Sequence, residues 1–167
     1  MSSLTLPDGR TLAYADCGAP DGTPMIFHHG TPGSRLFAAL LDDSVSEAGV
    51  RVVVPDRPGY GRSDPVDPAE ASLADGRADV EALADHLDFD SFGVASFSGG
   101  GPFALACDDL NRVDRVSAGF DAHTRSEYRS IRSARDPREP GARSVPLSFR
   151  RARRSSTRHR RRAVHRS

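Results

Sequence analysis

The stretch Gly93-Val94-Ala95-Ser96-Phe97-Ser98-Gly99-Gly100-Gly101-Pro102-Phe103-Ala104-Leu105-Ala106 decides the reading of this chain. A short apolar run stops at a serine set among small residues and then takes on helical composition. A serine on a tight strand-to-helix turn needs small neighbours two positions away on either side, and Ser96 and Gly100 stand there. Such a turn pushes the Ser98 hydroxyl outward, and the following helix offers unpaired backbone N–H groups where negative charge would develop. The pattern departs from GxSxG in carrying Ser96 as its first small residue. Glycines ahead of a helix also suit a phosphate-cradling loop or a close-packing device. The chain contains no lysine, which weighs against a P-loop.

Two further segments narrow these alternatives. Met25-Ile26-Phe27-His28-His29-Gly30-Thr31-Pro32-Gly33-Ser34-Arg35 is an apolar run ending in His-Gly and a small-residue loop. The residue after His-Gly, Thr31, is placed to offer its N–H to an oxyanion, with Gly99 as the partner donor. Val52-Val53-Val54-Pro55-Asp56-Arg57-Pro58-Gly59-Tyr60-Gly61-Arg62-Ser63-Asp64 is a β-branched strand that breaks into a turn-rich loop, the kind that braces the rim of a site.

In order and spacing these motifs, HGTPGS, DRPGYGRSD and SFSGGGP, resemble the α/β-hydrolase superfamily from about Leu6 to Cys107. The resemblance implies a partial α/β-hydrolase fold, a mostly parallel sheet with flanking helices. It also implies Ser98 as nucleophile, an oxyanion hole from the Thr31 and Gly99 amides, and hydrolysis of an ester or related acyl bond in a small molecule. No cofactor or metal is implied. Members with an aspartate nucleophile act on epoxides or alkyl halides, and the serine argues against those chemistries.

The coarse element pattern agrees with that layout. Leu4–Leu6 and Thr11–Asp16 read as a hairpin around Pro7-Asp8-Gly9. Residues 24–28 and 52–54 are continuously apolar, as strands buried on both faces are. Residues 34–48 have helical composition. Ser72-Leu73-Ala74-Asp75 opens a helix with a capping box, and Val80, Leu83, Ala84 and Leu87 share one of its faces. A strand over 92–97 delivers Ser98, a helix is expected over 99–110, and residues 115–120 supply one more strand. With nothing recognisable beyond it, the Ser98 strand is expected at or near an open sheet edge, with apolar surface uncovered and stability marginal.

Charge is sorted along the chain. Residues 1–123 hold 8 Arg against 20 Asp and Glu, whereas 124–167 hold 15 Arg against 3 acids, so the formal net charge of zero hides a basic tail. The tail has 5 aliphatic or phenylalanine residues in 44, too few to offset chain entropy, and is expected to be disordered. The domain reading is therefore the N-terminal part of a hydrolase domain over 1–123 and an Arg-rich tail over 124–167. Clustered arginine suits phosphate contact, but no aromatic interleaving or DNA-binding motif accompanies it, which speaks against specific nucleic-acid function. Aperiodic Arg, Ser, Ala and Pro is what out-of-frame translation of GC-rich DNA yields, so a truncated or frameshifted hydrolase is the expectation. The competing reading is a non-catalytic hydrolase-like binding module whose basic arm contacts acidic partners.

A serine needs a histidine to take its proton and a carboxylate to orient that histidine. Downstream of Ser98 stand His123, with Asp121 two residues before it, and His159 and His165 in the arginine run. His28 and His29 are expected to shape the oxyanion loop, and His86 to end a surface helix. No complete triad can be assembled from these, so impaired turnover is expected. Two separated cysteines, Cys17 and Cys107, speak against a disulfide framework, the first residues show neither a basic n-region nor an apolar h-region, and no run approaches membrane-spanning length. A cytoplasmic location is the expectation, and oligomeric state stays open.

Overall fold

A hairpin begins the sheet. In the computed structural model, which describes residues 2–119 apart from 68 and 70, β1 (Ser2–Thr5) pairs antiparallel with β2 (Thr11–Gly18). Their turn is closed by Leu6 N–H donating to Arg10 O at 2.8 Å, with Gly9 at a φ of 88°. β2 pairs antiparallel with β4 (Val50–Pro55). From there the sheet is parallel: β4 lies beside β3 (Thr23–His28), β3 beside β5 (Phe92–Phe97), and β5 beside β6 (Val113–Gly119). The strand order is β1-β2-β4-β3-β5-β6, a mostly parallel sheet with helices on both faces.

Alternation along the strands sorts the core into two layers. Ile26, Val53, Val94, Phe92 and Leu12 face α2 (Leu73–His86) and α3 (Gly101–Ala106), burying Val80, Leu83, Ala84 and Ala104. Val52 and Val54, with Met25 and Phe27, face the segment between β3 and β4, where Ala38 is buried. Fully burying a side chain the size of Leu83 is worth about 1.5–3 kcal/mol. α2 begins with the expected capping box. Ser72 Oγ accepts from Asp75 N–H at 3.3 Å and Asp75 accepts from Ser72 N–H at 2.8 Å, a device worth about 1 kcal/mol.

Two helical expectations are corrected. Residues 34–48 divide into a 3-10 turn over Arg35–Leu40 and a short α1 (Asp42–Glu47), because the Ser34 side chain caps the first turn and the chain breaks at Leu41. The helix after Ser98 is a 3-10 turn over Ser98–Gly100 and then α3, ending at Ala106 rather than running to 110. Beyond it Cys107, Asp108 and Leu110 donate three residues back, to Ala104, Leu105 and Cys107, so the coil tightens and stops.

β5 lies one strand in from the edge, and among the described residues β6 forms that edge. Val116 and Ala118 are half-buried on the α3 side, whereas Arg115, Ser117 and Gly119 on the other face are exposed. Both cysteines are free. No helix among the described residues is long and apolar enough to cross a membrane. Asp121, His123 and the tail over 124–167 lie outside the described residues.

Candidate active site

The site is built where β3, β4 and β5 end side by side. β5 runs straight to Phe97, and Ser98 then takes a φ of 48°, in the left-handed region that a non-glycine residue enters at a cost of about 1–2 kcal/mol. The turn is tight because of what lies beneath it. A Cβ at Gly100 would stand 2.3 Å from His28 O and 2.8 Å from His29 O, so only glycine lets this loop sit on the end of β3.

The loop after β3 packs against the same turn. A Cβ at Gly30 would meet Phe97 Cδ1 at 3.1 Å and Ser98 Cβ at 3.4 Å, and one at Gly99 would meet Thr31 Oγ1 at 2.6 Å and Thr31 N at 3.3 Å. Ser98, Gly99 and Thr31 are thus brought into one cluster from two loops far apart in sequence.

The loop after β4 braces both. Asp56 is fully buried and accepts from Arg35 N–H at 2.5 Å, Arg35 Nη1 at 2.6 Å and Arg62 N–H at 2.9 Å. Gly61 passes so close that a Cβ there would lie 2.1 Å from Asp56 Oδ2. Arg57 reaches the other way, donating from Nη2 to Thr31 Oγ1 at 2.7 Å and to Gly30 O at 3.2 Å, and from Nη1 to Gly99 O at 3.3 Å. Burial lowers its pKa.

Each described histidine has another task. His29 donates from Nδ1 to Gly30 O at 2.8 Å and accepts Arg57 N–H at Nε2, 3.4 Å away, which fixes it as the neutral Nδ1–H tautomer. Burial, its largest influence, lowers its pKa. His28 is buried beside Phe103, and burial, reinforced by the nearby Arg57 charge, pushes its pKa down to about 3. His86 ends α2 with Nε2 3.2 Å from Tyr14 Oη. His28 pairs in register with Ser96 across β3 and β5, and both ring nitrogens and the Ser96 hydroxyl are buried without hydrogen-bond partners.

On the opposite face of β5, Phe97 is 55% exposed and stacks on Phe37 (5.9 Å between centroids), which stacks on Phe27 (5.3 Å). This aromatic run ends at the residue before Ser98. No group of three potential metal ligands occurs among the described residues. The sequence-predicted Ser98, Thr31 and Gly99 lie together beside the loop after β4, whereas Arg57 and the Arg35–Asp56 pair were not singled out from the sequence. The available signal was a charged pair, Asp56-Arg57, directly after the apolar run Val52-Val53-Val54-Pro55.

A family model described as alpha/beta hydrolase fold matches residues 23–120. The chain is 38% identical over 109 residues to a non-heme chloroperoxidase of Streptomyces lividans, a match covering 62% of this chain and 38% of the relative. It is 36% identical over 107 residues to a proline iminopeptidase of Xanthomonas citri, covering 64% of this chain and 34% of that one. Among solved structures, the enol-lactonase from Burkholderia xenovorans LB400 superposes with a TM-score of 0.62 at 20% identity, over 69% of this chain and 45% of that one, a likeness of fold. The chain therefore spans between a third and two fifths of the length of these two curated relatives.

Proposed function

The chain belongs to the alpha/beta hydrolase fold family, and from that premise we propose that Ser98 is the nucleophile of a serine hydrolase acting on small esters or related acyl compounds. The amides of Thr31 and Gly99 are its oxyanion donors. The observation that carries this reading is the left-handed φ of Ser98 at the end of β5, with Thr31 lying against the next residue. A non-glycine residue held in that region is backbone strain of the kind that collects at functional turns.

The chemistry follows from that placement. The Ser98 hydroxyl oxygen attacks the acyl carbon while a base removes its proton, and the carbonyl oxygen becomes an oxyanion facing the two N–H groups. Collapse expels the leaving group with a proton and leaves an acyl-serine, which water then cleaves. The aromatic run at Phe27, Phe37 and Phe97 favours substrates with an apolar acyl or alkoxy group. No histidine among the described residues is placed to be that base. His29 has both ring nitrogens engaged, His86 is on Tyr14, and His28 stays neutral in the core. We therefore assign residues 2–119 the nucleophile and oxyanion half of the reaction. A serine hydrolase lacking a triad member retains about 10³–10⁴-fold catalysis over water from the oxyanion hole and binding.

A fluorophosphonate probe applied to the full chain and to Ser98→Ala tests the assignment. Stoichiometric labelling of the wild type at Ser98, absent in the variant, is the expected result. Equal labelling of both, or labelling elsewhere in the chain, overturns it.

A further inference from the structure

Arg57 is a buried cation, 6% exposed, for which no carboxylate partner is found among the described residues. The other buried arginine, Arg35, pairs with Asp56, and the half-buried Arg10 pairs with Asp79. The Arg57 guanidinium instead lies between two rings, 4.5 Å from the Tyr60 centroid and 4.7 Å from that of Phe103, with Nε buried and unpartnered. Stability alone gives no reason for this choice, since an apolar side chain of similar length would avoid the desolvation.

The three acceptors give one. Gly30 O and Thr31 Oγ1 lie on the loop after β3, and Gly99 O on the loop after β5. Gly30 C=O and Thr31 N–H belong to one planar peptide unit, so holding the oxygen fixes the direction in which the N–H points. His29 Nδ1 holds the same oxygen at 2.8 Å. Gly99 O is one peptide beyond the Gly99 N–H, and holding it limits rotation about a residue that has no Cβ to restrain it. A planar guanidinium with several diverging donors can grip both loops at once, whereas an ammonium on a flexible stem is a point donor.

We propose that Arg57 is a positioning residue that ties the two oxyanion loops at a fixed spacing and aims the Thr31 and Gly99 amides at one point. The catalytic meaning of the tie rests on the hydrolase reading, but the tie itself does not. The role of Arg57 appears only when the three acceptors are traced to the two loops.

The experiment uses the full chain as wild type, Arg57→Met, Arg57→Lys and Arg57→Ala. Fluorophosphonate labelling is resolved into its maximal rate and half-saturating concentration, and hydrogen exchange is followed over residues 29–33 and 97–101. Loss of alignment without loss of a donor is expected to lower the maximal labelling rate about tenfold in Arg57→Met, with half-saturation within about twofold. Exchange should rise in the two loops only, Arg57→Lys should repair neither property, and methylguanidinium added to Arg57→Ala should restore part of the rate. Wild-type rate and exchange in Arg57→Met overturn the proposal, as does a rise spread evenly over all strands. If the wild type takes no label while exchange still rises in the two loops of Arg57→Met, the hydrolase reading fails and the tie between the loops stands.

Discussion

Replacing Ser98 by glycine and, separately, by alanine divides the backbone of this turn from its hydroxyl. Both variants lose the oxygen, and both are expected to lose fluorophosphonate labelling, so any difference between them reports conformation. At a φ of 48°, alanine keeps a strain of about 1–2 kcal/mol that glycine does not bear. Against this, glycine gives the unfolded chain more freedom, worth roughly 0.5–1 kcal/mol. With both terms at mid-range, Ser98→Gly is more stable than Ser98→Ala by about 0.7 kcal/mol, or roughly 2–5 °C in melting temperature for a domain of this size. Reversible urea unfolding measures the difference, with Ser117 as the control. That residue is exposed on strand β6, where the same pair of substitutions should favour alanine. Equal stability at position 98, or an advantage for alanine there, would mean that Ser98 is not held in the left-handed region, and the elbow argument would fall.

Gly100→Ala places a methyl group 2.3 Å from His28 O, a clash with backbone that should cost at least about 3 kcal/mol in urea titration; a cost below about 1 kcal/mol would contradict the loop contact. His28 has a folded pKa lowered to about 3 from 6.5, so the unfolded chain binds the extra proton. Its contribution is complete above pH 6.5 and is lost as pH falls toward 3, by about 2–3 kcal/mol at pH 4.5. His28→Phe should remove that part of the acid sensitivity, measured as the change in urea midpoint between pH 7 and pH 4.5. Asp56→Ala removes the buried carboxylate that accepts from Arg35 Nη1 and from the Arg35 and Arg62 N–H groups, an expected loss of about 3–5 kcal/mol measured by thermal or urea unfolding.

Much of the framework was readable because it rests on local chemistry. Ser72 and Asp75 are three residues apart and cap each other, and Pro7-Asp8-Gly9 turns where its glycine allows a positive φ. The strand over 92–97 ends where small residues begin. The helices after Ser34 and Ser98 were overread because composition says what a segment tolerates, while capping at Ser34 and the tightening at Cys107 decide where it stops. Thr31 and Gly99 could be named from their loops, but their mutual contact depends on β3 and β5 being neighbours, a matter of sheet order. Arg57 was hidden for the same reason. Its acceptors lie 26, 27 and 42 residues away, and nothing in Asp56-Arg57-Pro58 says which of the two charged side chains turns toward which loop.

The sequence β4-β3-β5 across the middle of the sheet carries its own consequence. The chain leaves β3 over one side of the sheet to reach β4, and leaves β4 over the other side to reach β5. Connections that part company in this way open a crevice at the carboxyl ends of the strands. The place of Ser98, at the end of β5 beside β3, is therefore a product of winding rather than of particular side chains. The side chains around it, Phe97 and Phe37 among them, can be exchanged while that placement persists.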